Sequence, residues 1–572
     1  MTDKETKLAN EVVVKFKLSR DKKATDNFST SVDKWEGYYG GESDELKERV
    51  KRDLSAIMPP WAQAGVDYVL AKEIAVIFGQ KPYWTVGARQ KKWEEAAKLM
   101  EQLLSWQLDT PKIFLNVVQW IQHKLIYGTA IRKPFWDREN NEAKIEQINI
   151  KNFYPSPDGY SIYTVPWVIQ RALRTREYIK IMGKNWKGSN KSTYKNTKEL
   201  LALPGGEHIG EHIEESEANR WTTEEKENLY EILEYWYRRD GEVRVATVGS
   251  RKVLLRDSPS PYKKKKKAFP YIVALDWPKP KSFWGIGRIE AIEGHIKELA
   301  HIKNQRFDNI NLILNPPFKY IKGEDVDLKA LPIKPNALIG MNDIESLRPF
   351  EFPFITSGVY TEAASIENDI QNRLGLHEYS MGKAPEQRET ATGIARLQAA
   401  GNTIFQFQNM MSLKLGMTEL ADWMSAINQQ YFKEALSLPF LYDSEGRGQY
   451  LTIIKSRLQG DLYFIPKIAP LNPESVKDVQ RQQFITAVQT AVALQANLRR
   501  QELARVLFEK FDLLDSDIEK IIPPQAEMPK GAEMPPGAEQ GQPGQGQGAP
   551  TLQGLMAGSQ GAGMGTNAPK PR

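Results

Sequence analysis

The sequence predicts an α+β fold made of several packing units, on three observations. At 572 residues the chain is too long for one ordinary core, and a rule of roughly one domain per 100–200 residues gives about three or four units. Apolar residues recur at three-four spacing in some stretches and alternate in others, and the two patterns occupy separate parts of the chain. A hydrophobic fraction of 41% beside 26% charged residues is the composition of a globular protein.

The same totals exclude several classes. No apolar run approaches the roughly 18 residues that span a bilayer, so no membrane partner is expected. "MTDKETKLANEVVVKFKLSRDKK" lacks the apolar stretch and small-residue cleavage site of a signal peptide, so secretion is not expected. With no cysteine there are no disulfides, thiolate zinc sites or cysteine nucleophiles, and a reducing compartment or indifference to redox follows. The 78 basic residues nearly balance 72 acidic ones, which is not the footprint of a dedicated DNA binder.

In order along the chain, residues 1–60 read as an N-terminal arm with helical pieces, broken by the turn-rich "DKWEGYYGGESDE". From Trp61 to Tyr127 the spacing predicts helices, punctuated by Gly79, Pro82, Pro111 and Gly128. Beyond Gly128 the runs "TAIRKPFWD", "KIEQINIKNFYPSPDG" and "VPWVIQRALRT" predict strands. Residues 184–226 read as a surface insertion, followed by strands "LYEILEYWYRR" and "EVRVATVGSRKVLLR" around an Asp240-Gly241 turn. The lysine run 263–267, set between prolines, reads as a solvated loop in preference to a nucleic-acid patch.

A long helix is predicted over Gly287 to Leu314, a rod of roughly 40 Å at 1.5 Å per residue. Ile289, Ile292, Ile296, Leu299, Phe307, Ile310 and Leu314 make its apolar stripe, and Glu293, Lys297, His301, Asn304, Asp308 and Asn311 its polar one. "NPPF" ends it, because proline cannot continue the hydrogen-bond ladder. Strand-and-turn material fills 315–355, and a second amphipathic helix follows on Val359, Ala363, Ile366, Ile370 and Leu374. The charged break "GKAPEQRETATG" precedes a longer helix beginning near Thr392, in which Gly393, Gly401 and Gly416 mark places to bend. Strands resume in "LPFLYD", "QYLTIIKSRL" and "DLYFIPKIAP", then helices from Pro473 to about Ile522. The Gly/Pro/Gln-rich remainder is too poor in aliphatic and aromatic side chains to offset ordering entropy and reads as disordered.

Catalytic signatures are scarce. "HIGEH", His208 to His212, fits the spacing of inverted zinc peptidases, where two histidines one turn apart face the metal and the glutamate acts as base. Gly210 in its centre, "LPGGE" before it and no third ligand argue against a zinc-binding helix there. No phosphate-cradling loop or nucleophile elbow is present, so no cofactor and no enzyme is expected. The tryptophans read as core and interface anchors.

What remains is an order of segments. A "FGQKP" turn leads into "KKWEEAAKLMEQLLSW", and "KLIYGTAIRKPFWD" carries a helix through glycine into a strand. "AFPYIVALDWPKPKSFWGIGRIEAIEGHIKELAHIKNQRFDN" runs from strand through aromatic-glycine into the polar helix, and "RETATGIARLQAAGN" starts a threonine-rich long helix after a loop. This order, from about Trp61 to about Ile522, resembles the portal (head-to-tail connector) proteins of tailed bacteriophages.

The resemblance implies a portal-type multidomain subunit with long stem and tunnel-side helices, a mixed wing, a small α/β clip and a helical crown. Residues 61–286 and the later strands to 470 would form the wing, 287–314 and 356–375 the stem helices, and 315–355 the clip. The tunnel loop would be 376–391, the long bent helix 392–436 and the crown 471–522, with 523–572 the tail. It also implies a homo-oligomeric ring, usually of twelve subunits, at one capsid vertex, through which double-stranded DNA passes. Large terminase, tail adaptors and the major capsid and scaffolding proteins would be partners, in the virion and, during assembly, the host cytoplasm. Glu293, Lys297, Asn304, Asp308 and Asn311 would line the stem channel. In the tunnel loop, Lys383 and Arg388 would touch phosphates weakly while Glu386 and Glu389 limit their grip, since tight phosphate contacts would arrest a moving duplex. Two other readings stand beside this one: a multimeric virion scaffold or adaptor without a channel, and a zinc metalloenzyme using His208 and His212.

Overall fold

The computed structural model describes residues 2–137, 140–184, 192–208, 223–316, 318–320, 347–349, 353, 357–375, 403–432, 436–442 and 448–467. All of these fall in the first of two compact units, Met1–Gln482. Most of the expected clip, the tunnel loop 376–391, the start of the long helix, the crown and the tail lie outside the described residues.

Three helices open the chain: α1 (Asp3–Thr25), α2 (Phe28–Gly40) and α3 (Asp44–Lys51). Thr2 and Glu5 close a reciprocal capping box on α1, and Ser43 Oγ caps α3 by accepting from Leu46 N. These residues are not an arm lying off the body. Phe28, Val32, Trp35 and Tyr38 of α2 sit in the main core, so the "DKWEGYYG" that reads as a turn is a helix with a buried aromatic face. Lys23, at the end of α1, is buried with its ammonium donating to the carbonyls of Ile150, Lys151 and Phe153 at 2.9, 3.1 and 3.0 Å. Those three acceptors pin the helix to the body.

The next helices are α4 (Trp61–Phe78), α5 (Glu94–Asp109) and α6 (Pro111–Tyr127), with strand β1 (Trp84–Ala88) between α4 and α5. Pro111 opens α6, where its missing N–H is harmless, and Gly128 closes it in the left-handed region at φ 75°. A Cβ on Gly128 would also collide with the backbone of Gly285 and Gly287, so this crossing needs glycine twice over.

The predicted strands β2 (Thr129–Asp137) and β3 (Glu142–Ile148) pair with each other, β2 being central in a three-stranded antiparallel sheet with β9 (Ile272–Leu275). β4 (Phe153–Pro155), β5 (Trp167–Thr175), β6 (Leu229–Arg239), β7 (Glu242–Gly249) and β8 (Val253–Pro259) form a five-stranded antiparallel sheet in sequence order. Asp240 and Gly241 turn the β6–β7 hairpin with φ of 52° and 77°, as the Asp-Gly signal predicts. A second hairpin turns at Ser250-Arg251, so "EVRVATVGSRKVLLR" is two strands where the sequence reading has one.

One face of the five-stranded sheet, with Ile169, Leu233 and Tyr235, receives Ala9, Val12 and Phe16 of α1. The other face, with Tyr230, Ile232 and Leu255, receives α7 (Arg176–Gly183) and α8 (Thr197–Ala202) through Ile179, Tyr194 and Leu200. Residues 192–208 are therefore part of the body, since Tyr194 and Leu200 are core residues, and the surface-insertion reading does not hold for them. Short α9 (Thr223–Glu227) leads into β6.

After β10 (Trp277–Pro278) and β11 (Gly285–Ile286) comes α10 (Arg288–Leu314), the predicted rod with its predicted boundary. β12 (Phe318–Tyr320) and β13 (Leu347–Pro349) pair antiparallel beyond it. α11 (Ser357–Leu374) returns antiparallel to α10, with Ala363, Ile366, Ile370 and Leu374 buried as the spacing requires. The long helix is described as α12 (Thr403–Met411), a π-helical segment (Ser412–Thr418) and α13 (Glu419–Tyr431). Gly416 falls inside the π segment, where a Cβ would collide with the Trp120 ring. β14 (Leu436–Tyr442) pairs with β15 (Gly448–Ile453), and β16 (Leu462–Pro466) returns to pair with β1.

Candidate functional site

Helix α10 carries the five residues that the sequence reading places on a channel wall, and within this chain each has an intramolecular partner. Glu293 accepts from Trp35 Nε1 at 3.2 Å and pairs with Lys34 and Lys297, each at 2.8 Å. Asn304 is buried, its Oδ1 accepting from Ile57 N at 2.7 Å and its Nδ2 donating to Ile57 O at 2.9 Å. Asp308 accepts from Ser55 N at 2.8 Å and pairs with Arg49, and Asn311 Nδ2 reaches Ser55 Oγ at 3.5 Å. The polar stripe thus holds the extended segment that follows α3 against the rod. Gly294, Glu298, His301 and Gln305, one helical strip over, are exposed.

Asp308 gives this strap a pH response. Burial raises its carboxyl, but the Ser55 and Arg49 donors outweigh that and hold it below the ordinary 3.8. A carboxyl depressed by folding contributes stability above its unfolded value and loses it as the pH falls through the folded value. Hydrogen exchange at Ser55 and Ile57 is therefore expected to rise on acidification below 3.8. Asp308→Asn raises it about tenfold at neutral pH, the effect of losing a charge-assisted bond worth roughly 1.5 kcal/mol.

The four tunnel-loop residues Lys383, Glu386, Arg388 and Glu389 lie outside the described residues, as does His212. His208 sits in a turn at φ 65°, and its carbonyl accepts from Arg171 Nη2 at 3.1 Å. Among the described residues no group of three His, Cys, Asp or Glu side chains is arranged to hold a metal. No helix among them is long and apolar enough to cross a membrane.

The lysine run is a docking element more than a solvated loop. Lys263–Lys265 form a 3₁₀ turn against α13: Lys263 N donates to Gln430 Oε1 at 2.9 Å, Lys264 to Gln429, and Lys265 pairs with Asp422. Lys266 reaches Glu242 at 3.2 Å. Replacing Lys264 and Lys265 by alanine is expected to speed amide exchange in α13 about fivefold, the equivalent of roughly 1 kcal/mol for two partly exposed contacts. DNA retention is expected to stay unchanged.

At the base of α10 lies an ionic network that sequence reasoning missed. Lys124 of α6 donates to Glu73 of α4 at 2.6 and 2.8 Å and to Ser412 Oγ at 2.6 Å, and Ser412 donates to Glu73 at 3.0 Å. Asp276, which leads from β9 into β10, lies 3.8 Å from Lys124 and 3.1 Å from Arg288, the first residue of α10. Arg288 Nη1 donates to Leu374 O at the end of α11, and Gln408 of α12 donates to Asp276 at 3.4 Å. Burial pushes the Asp276 carboxyl above its ordinary value, while Arg288 and Lys124 pull it back. One carboxylate therefore sits between the start of α10, the end of α11 and the middle of α12. The only sequence signal was a charge inside each apolar run, in "AKEIAVIF", "HKLIYG" and "VALDWP".

No curated protein matches the chain. The model of the phage SU10 portal protein family matches residues 137–515, from the last residue of β2 through the sheet, the α10–α11 pair and the long helix. That match covers more than half of the chain, and the chain belongs to this family of tailed-phage portal proteins.

Proposed function

We propose that the chain assembles as a ring, of twelve subunits by the resemblance, at one capsid vertex and conducts double-stranded DNA during packaging and ejection. The observation that carries the reading is the family match across residues 137–515, which contains the 27-residue helix α10 and its antiparallel partner α11. In this reading α10 and α11 are the stem, β12–β13 open the clip where terminase and tail adaptors dock, and 376–391 is the tunnel loop. Lys383 and Arg388 contact phosphates there, and Glu386 and Glu389 keep that contact weak. The wing and crown face the major capsid and scaffolding proteins.

The stem wall needs one refinement. Asn304 is buried and Asp308 is engaged by the strap of residues 49–57, so the DNA-facing surface is proposed as Lys297, Glu298, His301, Gln305 and Asn311, with Glu293 and the strap beside them. Mixed charge and amides suit a surface that a duplex must slide past.

Electron microscopy of the purified full chain tests the reading: rings with an axial hole are expected, and rings without one favour a scaffold or adaptor. Because the native chain has no cysteine, single cysteines at Lys297, His301 and Asn304 give a clean companion assay. Label entering through the hole is expected to modify the first two and spare the third. Modification of Asn304→Cys alone would return the wall to the strap-covered face.

A further inference from the structure

The long helix changes its winding in the middle, and the groups around that change are poorly satisfied. Ser412–Thr418 is π-helical, so it holds one residue more per turn than the α-helices on either side. Two of its carbonyls accept from side chains outside the helix: Gly416 O, which also accepts from Glu419 N, from Arg132 Nη2 at 3.4 Å, and Met417 O from Trp84 Nε1 at 3.1 Å. Thr418 Oγ1 reaches back to Leu413 O at 3.0 Å. Around the same helix, Gln408 Oε1, Asp276 Oδ1, Trp120 Nε1, and Nε and Nη1 of Arg132 are buried with no hydrogen-bond partner. Groups of this kind are normally satisfied, and here they cluster around one joint of the helix.

The buried face of α12 is mixed. It buries Phe405 but also the polar Gln408 and Asn409, and leaves Met410 51% exposed. If the π turn closes to α, each residue of α12 moves on by one place. Asn409 then takes the position of Gln408 opposite Asp276, Met410 is buried in place of Asn409, and Gln406 replaces Phe405. Gln408 likewise takes the place of Phe407, which stacks on Trp277, so two aromatic positions pass to glutamines while one methionine is buried, and the present register is the major one.

We infer that the helix from Thr403 to Tyr431 is a two-register element, with Ser412–Thr418 as the joint that converts between π and α winding. Conversion turns α12 by about 100° and advances it by about 1.5 Å relative to α13. It exchanges the amide facing Asp276 and releases Gly416 O from Arg132. Since Asp276 also binds Arg288 at the start of α10, the register of the long helix is coupled to the α10–α11 pair through that one carboxylate. The inference goes beyond the ring reading and does not depend on it.

The test uses the full chain with spin labels on Met410→Cys and on Leu115→Cys of α6, both exposed positions in a cysteine-free protein. Turning a side chain by 100° on a helix of this radius moves its tip by about 8 Å. Two distance populations separated by about that amount are expected. Deleting the exposed Lys414, which removes the extra residue, is expected to leave only one of them. That is the present-register population, because α12 keeps its place when the extra residue is removed; Arg132→Met, which removes the side-chain hold on Gly416 O, is expected to shift the balance toward the other population. A single shared distance in the labelled wild type and in Arg132→Met overturns the inference, whether or not the deletion variant folds.

Discussion

Lys124→Met is expected to destabilise the protein by about 3–5 kcal/mol, read as a fall in the midpoint of urea unfolding. The loss comes from what the substitution leaves behind. Lys124 and Glu73 are fully buried, and the lysine makes both of the short ammonium contacts to that carboxylate, at 2.6 and 2.8 Å. Without it, among the described residues Glu73 keeps only the Ser412 hydroxyl at 3.0 Å, and Asp276 keeps only Arg288 as a nearby cation. An uncompensated carboxylate in a dry site is the costly outcome, because desolvation is no longer offset by attraction. The pair itself need not be worth that much. Lys124→Met combined with Glu73→Met removes both charges and is expected to recover most of the loss, since well-packed apolar replacements of a buried pair are often neutral. Equal destabilisation in the single and double variants would assign the effect to packing around Ser412 instead.

That network also marks where reading the sequence stopped short. The rod α10 was legible from Gly287 to Leu314 because its apolar spacing is regular and "NPP" ends it. The β6–β7 hairpin was legible because Asp-Gly supplies the two positive φ values that the turn needs. Both signals are local. Strand β1 carries no such signal, since its five residues become a strand only by pairing with β16, far along the chain. The strap on α10 is hidden for a related reason. Periodicity separates a polar from an apolar face, but it says nothing of what covers the polar one, and Asn304 looks the same in sequence whether it meets solvent or Ile57. Lys124, Glu73, Asp276 and Arg288 come from four separated segments. A charge in each apolar run hinted at buried pairing, but only the fold says which charge meets which.

Arg132→Met is expected to move stability the other way, raising the urea midpoint by an amount equivalent to about 1–4 kcal/mol, the range found when buried ionic groups give way to apolar ones. Arg132 is fully buried on β2, its guanidinium 3.7 Å from the centre of the Trp120 ring. Only Nη2 has a partner, the long bond to Gly416 O, and Nε and Nη1 have none. Burial pushes the group down from its ordinary value to about 9. A cation depressed by folding means that the unfolded chain binds more protons, so the destabilising contribution is fully present below about pH 9 and is relieved as the pH climbs above it. Methionine keeps a flexible, polarizable chain beside the Trp120 ring and brings no unpaired donor. A stabilising substitution at a site this deep would be unusual in a folded protein, and it would point to a role for the arginine other than stability. What Arg132 holds is the carbonyl of Gly416 in the π turn, so the variant that gains stability is also expected to lose the bias toward the present register. If Arg132→Met is instead destabilising by several kcal/mol, the guanidinium's stacking on Trp120 outweighs its desolvation, and it is then a structural cation rather than a latch on the long helix.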